Sequence, residues 1–177
     1  MSKKYVCSHT KADITHLAKT PFDLSIKNSN SVVTYFLYYA PNIESKFSVG
    51  KIEGEAAVNC LNKLIQKAEM VNRYKIIKEA KSSSWNEFAL CGDSLCLDCS
   101  RMTYTKSENE SELTALLRHI RNSLAHGLLY FQKKKKRNCL LLEDYSRKRK
   151  LTARIVISFM QLEEWKAILE NQISIGE

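Results

Sequence analysis

The chain has 177 residues, 44% hydrophobic and 27% charged, with a net charge of +9. That is enough sequence for one hydrophobic core, in the proportions of a soluble globular domain rather than a disordered or fibrous chain. The N-terminal stretch Met1–Cys7 lacks the apolar segment of a signal peptide, and the longest apolar run, Val32–Ala40, is too short to cross a bilayer. A single cytoplasmic domain over residues 1–177 is therefore expected, with reduced thiols and no membrane contact.

In chain order, Asp13–Lys19 reads as a short helix stopped before Pro21. Ser31–Ala40, rich in β-branched and aromatic residues and closed by Pro41, admits either a strand or a buried helix. Glu53–Tyr74 is predicted helical, because Ala57, Leu61, Leu64, Ile65, Ala68 and Val71 recur at helical spacing. Ile76 and Ile77 extend that helix or open another. Ser82-Ser83-Ser84 breaks the pattern, and Ser84 is a candidate cap for a short helix through Leu90. Gly92 to about Lys106 reads as a loop. Cys91, Cys96 and Cys99 fall in or beside it. A structural zinc site needs four ligands, and one Cys-x2-Cys pair with one further cysteine and no histidine close in sequence does not supply them. These cysteines are read as ordinary loop thiols, and neither metal nor cofactor is expected.

The most informative segment follows, Arg118-His-Ile-Arg-Asn-Ser-Leu-Ala-His-Gly127, on a helix predicted over about 107–127. Overlapping capping boxes, Thr105-x-x-Glu108 and Ser107-x-x-Glu110, open it, and Gly127 is a natural stop. At about 100° per residue, Leu113, Leu117, Ile120, Leu124 and Leu128 fall within an arc roughly 80° wide, a core face. Arg118, Asn122 and Ala125 point the other way, flanked by Arg121 and His126, while His119 lies near the edge of the core arc and reads as structural. Arginine grips phosphate through a planar fork of donors, and histidine moves protons near neutral pH. Such a face suits a phosphodiester. RNA carries its own nucleophile, so a protein acting on it need only position, shuttle a proton and neutralise charge.

Beyond this helix the period changes. Cys139–Tyr145 and Leu151–Ile157 read as a hairpin (about 138–157) joined by the basic turn Ser146–Lys150, and a last helix (about 158–171) buries Phe159, Leu162, Trp165, Ile168 and Leu169. The fold expected is mainly α, a helical bundle with a small C-terminal β-hairpin and a final helix. Charge concentrates in the hairpin region: Lys133, Lys134, Lys135, Lys136, Arg137, Arg147, Lys148, Arg149 and Lys150 face only Glu143 and Asp144 as acidic neighbours in sequence. Such a concentration attracts polyanions.

The string Arg121-Asn122-Ser-Leu-Ala-His126-Gly127 resembles the signature of the HEPN superfamily, an arginine followed after four to six residues by histidine, with a polar residue next to the arginine. The hairpin and final helix are similar to a HEPN subgroup that carries a small β-hairpin after the motif helix. The resemblance implies a helical bundle that dimerises so that two motif helices face a shared cleft. It also implies a metal-independent endoribonuclease in which the 2′-hydroxyl attacks the adjacent phosphate, acting as a toxin or antiviral effector under the restraint of an antitoxin or other regulator. A non-catalytic RNA-binding or protein-interaction module on the same scaffold is the alternative. On this reading Arg121 holds the phosphate, His126 is general acid or base, Asn122 orients them, and Arg118 with the basic cluster contacts RNA. Leu128 stands where adenylylated HEPN toxins carry a tyrosine, two residues after the histidine, so that mode of control is not implied.

Overall fold

The structure, a computed structural model, describes residues 7, 9–17, 27–79, 81, 85–134 and 137–173. The elements are β1 (Ala12–Asp13), α1 (Ser29–Thr34), α2 (Gly54–Lys67), β2 (Tyr74–Ile77), β3 (Ser94–Leu95), β4 (Arg101–Thr105), α3 (Glu112–Ala125), β5 (Leu129–Lys134), β6 (Arg137–Tyr145), β7 (Leu151–Ser158) and α4 (Phe159–Ile173). Five strands form one mixed sheet in the order β2-β4-β7-β6-β5, and β1 pairs with β3 in a separate two-stranded ribbon.

This overturns the expectation of a mainly α bundle. The fold is α+β, built around a sheet in which the expected hairpin (β6 and β7) is only the centre. β4 joins β7 antiparallel, with Tyr104 opposite Ala153, and β2 joins β4 parallel, with Tyr74 opposite Met102. β5 leads directly out of the motif helix and pairs with β6 from Leu129↔Leu142 to Lys134↔Arg137. The sheet was hidden because it is covered on both faces, so inward polar residues do not alternate visibly with outward ones. In β4, Arg101, Met102, Thr103 and Tyr104 are all fully buried.

The two faces carry separate cores. On one, Met102, Tyr104, Leu140, Leu142, Ala153, Ile155 and Ile157 pack with residues of α1 to α4. On the other, Cys139, Leu141 and Val156 pack with Tyr130, Phe88, Leu90, Leu95, Leu97 and Ile14. The second cover, residues 85–100, has little regular structure, so its carbonyls need side-chain donors. Two buried arginines of the sheet supply them. Arg101 donates to the carbonyls of Phe88, Ala89, Cys96 and Cys99, and Arg154 donates to those of Leu90 and Gly92 while pairing with Glu143 at 2.5 Å.

Several element boundaries move for local reasons. The helical spacing read over Glu53–Tyr74 ends at Lys67, because Glu69 and Asn72 adopt left-handed backbone angles and turn the chain. Ile76 and Ile77 then belong to β2. Ser31–Ala40 proves helical: α1 continues as a π-helical turn over Tyr35–Tyr39, burying Val32, Val33, Tyr35 and Phe36. The helix expected at Asp13–Lys19 is one 3-10 turn, Ile14–His16, capped where Asp13 accepts the Thr15 N–H at 2.9 Å. Ala18 and Lys19 lie outside the described residues, as do Ser82, Ser83 and Ser84. Trp85–Ala89 is a turn rather than a helix. The last helix starts where expected, and Trp165 Nε1–H donates to the Leu64 carbonyl at 2.7 Å, tying α4 to α2. No helix among the described residues is long and apolar enough to cross a membrane.

Candidate functional site

Helix α3 is shorter than the sequence suggests, and its true cap is Ser111, whose hydroxyl accepts the Thr114 N–H at 3.1 Å. Of the two capping boxes, Thr105 ends β4, while Ser107 N–H meets the Glu110 carboxylate at 3.3 Å in the turn before the helix. The C-terminus closes in a Schellman arrangement. Leu128 N–H reaches the Ser123 carbonyl at 2.8 Å, Gly127 N–H reaches that of Leu124 at 3.2 Å, and Gly127 takes φ +65°. Gly127 therefore stops the helix, with His126 as its C-cap. Leu113, Leu117, Ile120 and Leu124 are buried as the arc predicted.

Along the polar side of α3 the side chains do different things. Arg118 is clamped by Glu110, Nε to Oε1 at 2.7 Å and Nη2 to Oε2 at 2.9 Å. Burial would raise the Glu110 carboxyl, but the hydrogen bonds and charge of Arg118 hold it below its ordinary value. His119 is fully buried: Nδ1 lies 2.7 Å from Asp144 Oδ2 and Nε2 lies 2.8 Å from the Thr105 carbonyl oxygen. Asn122 Nδ2 also donates to Asp144 Oδ2, at 3.2 Å. Burial works to raise the Asp144 carboxyl, and the His119 and Asn122 donors outweigh it, so it sits below the usual carboxylate range. Arg121 is half-buried, and its Nε is a buried donor with no partner among the described residues. His126 is exposed. A cleft between the Asn42–Gly54 segment and Glu110–Thr114 opens at the opposite end of α3, and neither Arg121 nor His126 lines it.

Residues 51–171 match the family described as HEPN pEK499 p136. The chain belongs to this HEPN family. No curated protein and no solved structure shows a significant match to it.

In this HEPN chain the Arg-x4-His signature therefore lies on a single helix bedded against β6, with Asn122 anchored by a β6 carboxylate. Asp144 was not singled out from sequence. Its only advance signal was an acidic residue inside a basic hairpin, and no spacing rule links it to His119, 25 positions earlier. The basic cluster divides. Arg147, Lys148, Arg149 and Lys150 are exposed in the β6–β7 turn, next to Asp144 and so at the end of the sheet that carries the motif. Arg137 at the other end of β6, with Lys133 beside it on β5 opposite Asn138, is about 26 Å away at roughly 3.3 Å per residue. Arg137 there donates to the Asp98 carbonyl at 3.2 Å. Lys135, Lys136 and the side chain of Lys134 lie outside the described residues.

A second group of reactive side chains gathers at that far end. Cys96 and Cys99, read from sequence as a pair without enough partners, are joined by Cys7 and His9. Cys91 is exposed and takes no part in the group.

Proposed function

We propose that this HEPN protein is a metal-independent endoribonuclease whose active site forms where two copies bring their motif helices together. Arg121 is the decisive residue. Its Nε lacks a hydrogen-bond partner among the described residues, which is costly for a guanidinium nitrogen, and turning this half-buried side chain toward an RNA phosphate satisfies it. Arg118, by contrast, already spends two donors on Glu110, so it supports the site's charge more than it reaches for ligand. Arg121 and His126 stand about 140° apart around an ideal helix, so one helix aims them differently. A two-fold partner supplies the missing direction: Arg121 of one copy and His126 of the other flank one phosphate.

The chemistry needs nothing else. The 2′-hydroxyl oxygen forms a bond to the adjacent phosphorus as its proton passes to a histidine acting as base. The phosphorus–O5′ bond breaks, and the leaving 5′ oxygen takes a proton from the other histidine. A 2′,3′-cyclic phosphate and a 5′-hydroxyl result, and Arg121 stabilises the charge that builds on the non-bridging oxygens. Asn122, held by Asp144, fixes the backbone neighbourhood of Arg121. The turn Arg147–Lys150 leads the strand toward the site.

The test incubates purified protein with RNA in EDTA beside Arg121→Ala and His126→Ala. Cyclic-phosphate ends from the wild type, lost in both folded variants, are the expected outcome. Intact RNA with undiminished binding points instead to a non-catalytic RNA-binding module.

A further inference from the structure

Cys7, His9, Cys96 and Cys99 come from two places 90 residues apart, yet their ligand atoms all lie within 4.8 Å of one another. Cys7 Sγ is 3.5 Å from Cys99 Sγ, and His9 Nδ1 is 3.4 Å from each of those sulfurs. Four donors around one zinc ion, at metal–ligand distances of about 2.3 Å for sulfur and 2.0–2.1 Å for nitrogen, sit at the corners of a tetrahedron with edges of roughly 3.5–3.8 Å. The Cys7, His9 and Cys99 separations of 3.4–3.5 Å come close to those edges, and Cys96 Sγ lies within 4.8 Å of all three. A disulfide in place of the Cys7–Cys99 contact needs its sulfurs at about 2.05 Å, with no role for His9 or Cys96.

The surroundings suit a thiolate-bound cation. Asp98 N–H points at Cys96 Sγ at 3.3 Å, a donor that stabilises sulfur carrying negative charge. Three thiolates, one neutral imidazole and Zn2+ sum to a charge of minus one. The buried Arg101 guanidinium sets its positive charge beside them, donating to the Cys96 and Cys99 carbonyls at 2.8 Å each. Soft sulfur with one imidazole in a tetrahedron selects zinc over harder divalent ions.

We propose that Cys7, His9, Cys96 and Cys99 bind one structural zinc ion that clamps the N-terminal segment onto the loop before β4. All four positions are protein ligands, leaving no open site for substrate, which marks it as structural rather than catalytic. The position agrees. The cluster adjoins Arg101 at the start of β4, whereas Thr105, the contact of His119, closes that strand about 13 Å further on. Zinc adds to what else holds this segment: β1 pairs with β3 over two residues, Ile14 N–H reaches the Asp93 carbonyl at 2.8 Å, and the Ile14 side chain enters the second core.

Full-length protein, purified in reducing buffer and desalted, is assayed for metal by mass spectrometry. One zinc per chain is expected, released when an organomercurial titrates the thiols. In the native protein, Cys7 and Cys99 are expected to resist alkylation while exposed Cys91 reacts, and to become reactive once zinc is displaced. Cobalt exchanged into the wild type is expected to show the visible bands of a tetrahedral thiolate site. His9→Cys retains the metal, His9→Ala loses it, and Cys91→Ser leaves it unchanged. Substoichiometric zinc, alkylation of Cys7 and Cys99 as fast as Cys91 before displacement, or a Cys7–Cys99 disulfide overturns the proposal. Each readout on wild-type protein stands apart from RNA cleavage and from the folding of any variant.

Discussion

Removing the Asp144 carboxylate tests the buried contacts that anchor the motif helix to β6. Three donors converge on it: His119 Nδ1 at 2.7 Å, Asn122 Nδ2 at 3.2 Å and the Tyr145 backbone N–H at 2.9 Å. The side chains of His119 and Asp144 are 0% and 4% exposed, so water does not replace what is lost. His119 Nε2 lies 2.8 Å from the Thr105 carbonyl oxygen and 3.4 Å from Arg118 Nη2, so the ring is held from both sides. Asp144→Ala then leaves these donors without their acceptor in a dry site and costs about 1–3 kcal/mol for each group orphaned. Urea melts of the wild type, Asp144→Ala, His119→Ala and the double variant measure this. The double variant is expected to cost less than the sum of the singles by at least about 1 kcal/mol. The pH dependence has a definite sign. Folding lowers the Asp144 pKa, so its contribution is complete above the ordinary carboxylate value near 4 and fades as pH falls through the folded value. The stability gap between wild type and Asp144→Ala should therefore hold above about pH 4 and narrow only as pH falls further. A cost under about 1 kcal/mol at pH 7, or strict additivity with His119→Ala, refutes the buried-pair account.

Two further outcomes follow from the same elements. Gly127 takes φ +65° with nothing within 4 Å of an added Cβ, so Gly127→Ala is expected to cost about 1–2 kcal/mol through backbone strain alone, read by denaturant melts. A loss well outside that range means the Schellman turn does more than end α3. Replacing Arg147, Lys148, Arg149 and Lys150 together by glutamine is expected to flatten the salt dependence of single-stranded RNA binding by up to about three units of slope. Arg137→Gln, at the far end of β6, changes it by less than one. Anisotropy titrations across a salt series compare them, and equal effects per charge removed would place the RNA track along the whole hairpin instead.

The motif helix was legible because its information is local. Apolar spacing identified the buried face of α3, Gly127 announced its end, and Arg121, Asn122 and His126 could be named from one short string. α4 and the β6–β7 hairpin were legible for the same reason: period and turn chemistry are carried by neighbours in sequence. Arg118 shows the boundary of that method. Its place on the polar face was right, but its engagement by Glu110, eight residues away across the helix entry, depends on how the β4–α3 turn folds back.

What the sequence determined by itself was the helix that carries the signature, the residues on its two faces, and the family to which they belong. Tertiary structure alone decided the sheet, the Asp144 anchor and the Cys/His cluster. β2 and β4 are short, and their pairing energy comes from strands that lie far away in sequence, so no window of local residues reports it. The carbonyls of Phe88, Ala89, Leu90, Gly92, Cys96 and Cys99 are satisfied by Arg101 and Arg154 rather than by a helix or ladder, a pairing that no local spacing announces. Cys91, Cys96 and Cys99 did not make a four-ligand set in sequence, because Cys7 and His9 reach Cys96 and Cys99 only when β1 docks on β3. Proximity in the folded chain, rather than spacing along it, completes a set of donors.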